Sequence, residues 1–173
     1  MEVLTDALTV NASLEVLDLH YNKILDAGAT HFARALQHNH TLTSLDLSSC
    51  SIGDRGIESI SDAIMTNSSL QELYLNNNRF TDKGLLRLAE SLHDSERVEF
   101  LGLQVRSRVT DGGWKQFALS LQDNCHLKKL FIHDKNRPLL AGVVEKVNET
   151  RAQKVLPLLG LCSVTGDALS SHF

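Results

Sequence analysis

The chain repeats itself every 28 residues, and a period of that length constrains the fold more than any other property of the sequence. Registers start at Ser13, Thr41, Ser69 and Arg97. The first carries Leu14, Leu17, Leu19, Asn22 and Ile24; the second Leu42, Leu45, Leu47, Cys50 and Ile52; the third Leu70, Leu73, Leu75, Asn78 and Phe80. A fourth opens with Val98, Leu101 and Leu103 and takes one extra residue before Val109, a fifth opens with Leu127, Leu130 and Ile132, and a sixth start stands at Leu156, Leu159 and Leu161. Alternation of apolar residues around Leu17, Leu45 and Leu73 predicts a short strand in each unit.

The second half of each unit holds an acidic turn, Asp26-Ala-Gly28, Asp54-Arg-Gly56, Asp82-Lys-Gly84 or Asp111-Gly-Gly113, followed by apolar residues at helical spacing. These are Phe32, Ala35 and Leu36; Ile57, Ile60 and Ile64; Leu85, Leu88, Ala89 and Leu92; Trp114, Phe117, Ala118 and Leu121. Val3, Leu4, Ala7 and Leu8 have the same spacing and end at Asn11, as the back half of a truncated unit would. A lone strand and helix cannot bury their apolar faces, so the units must stack and share one aliphatic core. Strands about 4.8 Å apart then line the inner curve, and helices, which need more room, fan out on the convex side.

A 28- to 29-residue period, L-x-x-L-x-L-x-x-N/C-x-I/F in the strand half and a full helix in the other, resembles the ribonuclease-inhibitor class of leucine-rich repeats. The resemblance implies an α/β fold: a right-handed solenoid or horseshoe with parallel strands on the concave face and helices on the convex face. It covers nearly the whole chain as a single domain, 1–173, divided into a partial N-terminal repeat (1–12), repeats 13–40, 41–68, 69–96, 97–125 and 126–153, and a C-terminal partial repeat or cap (154–173). The class includes the sensor ends of NOD-like receptors, Ran GTPase-activating protein and tropomodulin-like actin regulators, and it implies a protein partner. Departures begin with the insertion near Arg106 to Arg108 and grow where Asp134 to Pro138 replaces the acidic turn.

Bulk properties exclude several classes. Net charge is −4, against the concentrated basic face that nucleic acid requires. Residues 1–86 hold five basic against eleven acidic residues and 87–173 hold twelve against ten, so the two ends differ in sign. No apolar run approaches the roughly 18 residues that span a bilayer, and Glu2 and Asp6 do not suit a signal peptide, so a cytoplasmic location is expected. Three cysteines, Cys50, Cys125 and Cys162, fit neither a disulfide framework nor a CxxC motif. Asn11, Asn39, Asn67 and Asn148 each open an N-x-S/T sequence, which matters only in a secreted chain, and chance occurrence is the expectation.

Candidate chemistry is sparse. Asp26, Asp54, Asp82 and Asp111 form a column that a helix N-terminus explains by capping better than a cation does. Asn22, Cys50 and Asn78 form another, whose side chains turn inward to satisfy backbone groups. His20, His126 and His133 have no second ligand at sequence spacing, and there is no nucleophile elbow, so no catalytic residue, metal ligand or cofactor is expected.

Strand residues between the inward leucines face the concave side. They are Val16, Asp18 and His20; Ser44, Asp46 and Ser48; Glu72, Tyr74 and Asn76; Phe100, Gly102 and Gln104; Lys129, Phe131 and His133. The expected partner-binding set is Asp18, Asp46, Glu72, Tyr74, Phe100, Gly102, Lys129, Phe131 and His133, with Gly102 either opening an aromatic-walled hollow between Tyr74 and Phe131 or relieving crowding between bulky neighbours. Arg106, Arg108, Lys135 and Arg137 are expected to cluster on one rim. The function expected is a non-enzymatic protein-protein interaction module, a signalling scaffold that binds another protein and neither nucleic acid nor membrane, as a monomer or part of a larger chain. Its alternatives are a GTPase-activating or regulatory subunit of the Ran GTPase-activating-protein type and a structural repeat segment.

Overall fold

A computed structural model describes residues 1–104, 108–121 and 124–132. Strands and helices alternate: α1 (Glu2–Val10), β1 (Val16–Asp18), α2 (Leu25–Leu36), β2 (Ser44–Asp46), α3 (Asp54–Thr66), β3 (Glu72–Tyr74), α4 (Asp82–Asp94), β4 (Phe100–Gly102), α5 (Asp111–Ser120) and β5 (Lys129–Phe131). The strands form one parallel sheet in chain order, β1-β2-β3-β4-β5. Register follows the sequence period, pairing Leu17 with Leu45, Leu45 with Leu73, Leu73 with Leu101 and Leu101 with Leu130. Each helix packs on the next, so the molecule is an α/β solenoid with strands on its inner face and helices outside.

The core is the predicted ladder. Leu45, Leu73, Leu101, Phe32, Ile57, Ile60, Leu85, Leu88 and Phe117 are fully buried between sheet and helices. Trp114 joins them, its ring edge-on to Phe117 at 5.6 Å. The first unit is the exception, with Leu14 36% exposed where Leu42 is 0%, because no repeat covers its outer side among the described residues. In α1 only Thr5 and Leu8 are buried; Val3 and Leu4, predicted as part of an apolar face, are exposed.

Three polar ladders lock the units together, two of them unlike their expected form. The acidic turns are the first turns of the helices, and the carboxylates of Asp26, Asp54 and Asp82 reach the next unit instead of capping their own helix. Asp54 Oδ1 accepts the backbone N–H groups of Thr81 (2.7 Å) and Gly84 (3.0 Å) in the next unit, and the Thr81 hydroxyl donates to its Oδ2 (2.9 Å). Asp26 reaches Gly53 N–H in the same way, and Asp82 reaches Thr110. Each acid thus lies at the N-terminus of the following helix, where free N–H groups and the helix dipole favour negative charge. The glycine of the motif makes room for it. A Cβ on Gly84 would stand 2.7 Å from Asp54 Oδ1, and one on Gly56 2.8 Å from Asp26 Oδ1.

The N-x-S/T sequences are the second ladder, so the expectation of chance occurrence is corrected for three of them. Asn11, Asn39 and Asn67 stand 28 residues apart where each helix hands over to its strand. Asn67 Nδ2 donates to the carbonyls of Leu36 (2.6 Å) and Asn39 (3.0 Å), and its Oδ1 accepts the N–H groups of Ser69 and Leu70. The serine or threonine two residues on, Thr41 or Ser69, donates its hydroxyl to the asparagine carbonyl of the preceding unit. Asn39 and Asn67 are buried with their amides engaged, which leaves no acceptor for a glycan. Ser95 and Asn124 continue the column. Asn148 lies outside the described residues.

In the third ladder Asn78 donates to the carbonyls of Leu47 and Leu75 and accepts the N–H groups of Cys50 and Ile52, as the inward-turning column predicts. Cys50 takes the same place one unit earlier, its thiol donating to the Leu19 carbonyl at 3.2 Å. Burial raises the Cys50 pKa, consistent with a packed thiol. Tyr21, Ser49 and Asn77 form a further column at positive φ (55 to 59°), a left-handed turn that takes the chain off each strand. Their N–H groups bond the carbonyls of Ser48, Asn76 and Gln104 in the next unit.

Candidate binding face

The outward strand positions lie on the concave face and fall into two groups. In the centre a contact chain runs across four strands. Glu72 accepts hydrogen bonds from the hydroxyls of Ser44 (3.0 Å) and Tyr74 (3.3 Å). The Tyr74 ring packs against Phe100 with centroids 4.8 Å apart, and the Lys129 ammonium stands 5.5 Å from the Phe100 centroid. Burial, then the Glu72 carboxylate, raises the Tyr74 pKa, so the phenol stays a donor. Lys128 pairs with Glu99 at the strand entry of the same two units. Phe131, two residues beyond Lys129 at the end of β5, is 48% exposed.

The register places Tyr74, Gly102 and Phe131 on three consecutive strands as the sequence predicts, but the hollow over Gly102 is not there. Gly102 is buried, because the Tyr74 ring leans across it: a Cβ at 102 would meet Tyr74 Cδ1 at 2.9 Å and Asn76 Nδ2 at 3.1 Å. The glycine relieves crowding between large neighbours. A larger residue at 102 would therefore displace Tyr74 instead of filling a cavity.

At the N-terminal end Asp18 and Asp46 face each other in register on β1 and β2. His20 Nδ1 contacts Asp18 Oδ1 at 2.5 Å, and ligand atoms of Asp18, His20 and Asp46 all lie within 4.8 Å of one another. The backbone and imidazole hydrogen bonds of His20 lower the Asp18 pKa, and the Asp18 carboxylate raises that of His20. Asp18, His20, Tyr21, Asp46, Ser48, Asn76, Gln104 and Phe131 border a shallow concavity of about 310 Å³. Sequence spacing missed this group because Asp46 joins His20 only through strand pairing; an acid recurring 28 residues after Asp18 was the available signal.

Of the expected rim, Arg108 is exposed, while Arg106, Lys135 and Arg137, like His133, lie outside the described residues. A family model described as Leucine Rich repeat matches residues 10–33, 38–61 and 66–89, three windows that follow the 28-residue period. These are leucine-rich repeats. Their full helices and N/C column are the features by which the sequence resembles the ribonuclease-inhibitor class. Among solved structures, "Leiomodin-1 Actin-Binding Site 2 (ABS2)" superposes on these repeats with a TM-score of 0.76 at 18% identity, covering 92% of this chain and 95% of that one. The tropomodulin C-terminal domain of Caenorhabditis elegans does so with a TM-score of 0.74 at 17% identity, covering 92% and 98%. At that identity the likeness is one of fold. No curated protein matches the sequence.

Proposed function

We propose that the leucine-rich repeats form a non-enzymatic module that binds a partner protein on the concave face, centred on Phe131, Lys129, Phe100 and Tyr74. The observation that carries this reading is the state of Phe131: a ring left 48% exposed on a rigid sheet, beside an exposed lysine and a packed aromatic pair. Apolar groups of that size, fixed in place and rimmed by charge, are what a partner's anchor residue covers at little entropic cost. The fold agrees with a protein partner, since one of its structural neighbours is an actin-binding site of leiomodin. Monomeric actin is therefore the first defined protein to titrate, before any partner captured from lysate. Phe131→Ala and Lys129→Glu weaken the complex on this reading, whereas Leu119→Ala, on the outer face of α5 and 63% exposed, leaves it unchanged. The opposite pattern moves the binding site to the helices.

A further inference from the structure

We propose that the outer edge of β1, with the apolar side chains behind it, binds an extended basic peptide that adds a strand to the sheet. The bonds between units recur at every step and define what such an edge takes. At the strand entry two consecutive N–H groups share one carbonyl of the preceding unit: Thr43 and Ser44 bond Glu15, and Gln71 and Glu72 bond Thr43. At the strand exit the Asp46 carbonyl accepts the Leu19 N–H, and the Tyr74 carbonyl that of Leu47. Ahead of the strand Asn39 Nδ2 donates to the carbonyls of Leu8 and Asn11. The same groups in the first unit are the Glu15 and Val16 N–H groups, the Asp18 carbonyl and Asn11 Nδ2, and none has a partner among the described residues. Asn11 is already oriented for the task, since its Oδ1 holds the Ser13 and Leu14 N–H groups just as Asn39 Oδ1 holds those of Thr41 and Leu42.

Shape and charge decide the occupant. On the convex side α1 already packs against α2, so a strand is the part that completes this layer. Leu4 and Leu14 are 40% and 36% exposed, whereas Phe32 and Leu42, one period later, are 0%. A strand beside β1 with apolar residues at alternate positions covers them, because inward side chains follow a period of two. Residues 1–28 hold five acidic residues and one basic, Lys23, and Glu2, Asp6, Glu15 and Asp18 are all exposed. A second copy meeting this edge through a two-fold axis would set those acids against their own equivalents, which like-charge repulsion opposes. A peptide with lysine or arginine between its apolar residues meets them with opposite charge. The site lies at the other end of the sheet from the Phe131 patch and does not depend on the protein bound there.

The probe is a synthetic peptide of alternating valine and lysine, blocked at both ends, titrated into the full chain and followed through backbone amide resonances. The edge predicts saturable shifts at Leu14, Glu15 and Val16 and slower exchange of the Val16 N–H, with no response to a peptide of alternating valine and glutamate. Val16→Pro removes the edge donor but spares the β1–β2 bonds, which use the other side of the strand, and should weaken the peptide roughly tenfold. If Val16→Pro disturbs the fold, Glu15→Lys replaces it, with a loss of the same order at a parent-like melting temperature. Shifts confined to the concave residues around Asp46 and Ser48, equal affinity for the acidic peptide, or variants that bind as tightly as the parent would each overturn the proposal. Self-association of the parent chain that Val16→Pro abolishes would assign the edge to a second copy and overturn it as well.

Discussion

Asp26, Asp54 and Asp82 show how far single side chains set the geometry between repeats. Each carboxylate leaves its own helix and serves the next, so a residue and its partner stand about one period apart. The sequence shows the column but not its direction, since a carboxylate at a helix start suits either helix equally well. Gly56 tests the arrangement. Helix propensity alone favours Gly56→Ala by about 1 kcal/mol. A Cβ there would come within 2.5 Å of Ile52 Cγ2 and 2.8 Å of Asp26 Oδ1, so the variant should instead lose about 1 to 3 kcal/mol in a denaturant melt. A stabilised Gly56→Ala would show that the carboxylate does not pack there. At His20 the expected outcome is a titration by NMR above the ordinary imidazole range, brought down by Asp18→Asn. Because the folded pKa is raised, the pair's contribution is complete below the ordinary value and disappears as pH rises through the raised one. A His20 that titrates at or below the ordinary value contradicts the 2.5 Å contact with Asp18.

At the scale of the strand and helix, the sequence was legible wherever an apolar side chain recurs. Leu17, Leu45, Leu73, Leu101 and Leu130 are in register because alternation fixes the inward face and a one-residue slip would expose the whole ladder. The helix positions at Ile57, Ile60 and Ile64 follow for the same reason. Leu73 lies at the centre of the stack and is fully buried, so Leu73→Ala should cost about 2 to 5 kcal/mol in a denaturant melt, with Glu96→Ala as an exposed control. Equal midpoints would remove Leu73 from the core. Ring placement was not legible, because strand position settles the face of the sheet but not the rotamer. Tyr74 therefore lies over Gly102, where the spacing alone left a hollow. Asn39 and Asn67 were hidden for another reason: a three-residue motif with a familiar chemical meaning concealed a column that serves the backbone.

Across the whole molecule the repeats divide the labour between two faces. On the helices several charged residues pair with one another, as Arg87 does with Asp62 and Glu90. The sheet instead presents Glu72, Tyr74, Phe100 and Lys129 as one connected patch, with Phe131 two residues beyond Lys129 at the end of β5. The fold was legible from the period and the face from strand alternation, but the identity of the partner has no counterpart in either, since scaffold residues repeat and recognition residues do not. The measurement that tests the account most directly is the affinity of one partner protein for the parent chain, Phe131→Ala and Leu119→Ala, each verified as folded. The concave reading predicts a loss of about 2 kcal/mol, roughly thirtyfold, for Phe131→Ala and no change for Leu119→Ala. Parent-like affinity for Phe131→Ala together with a loss for Leu119→Ala would contradict it.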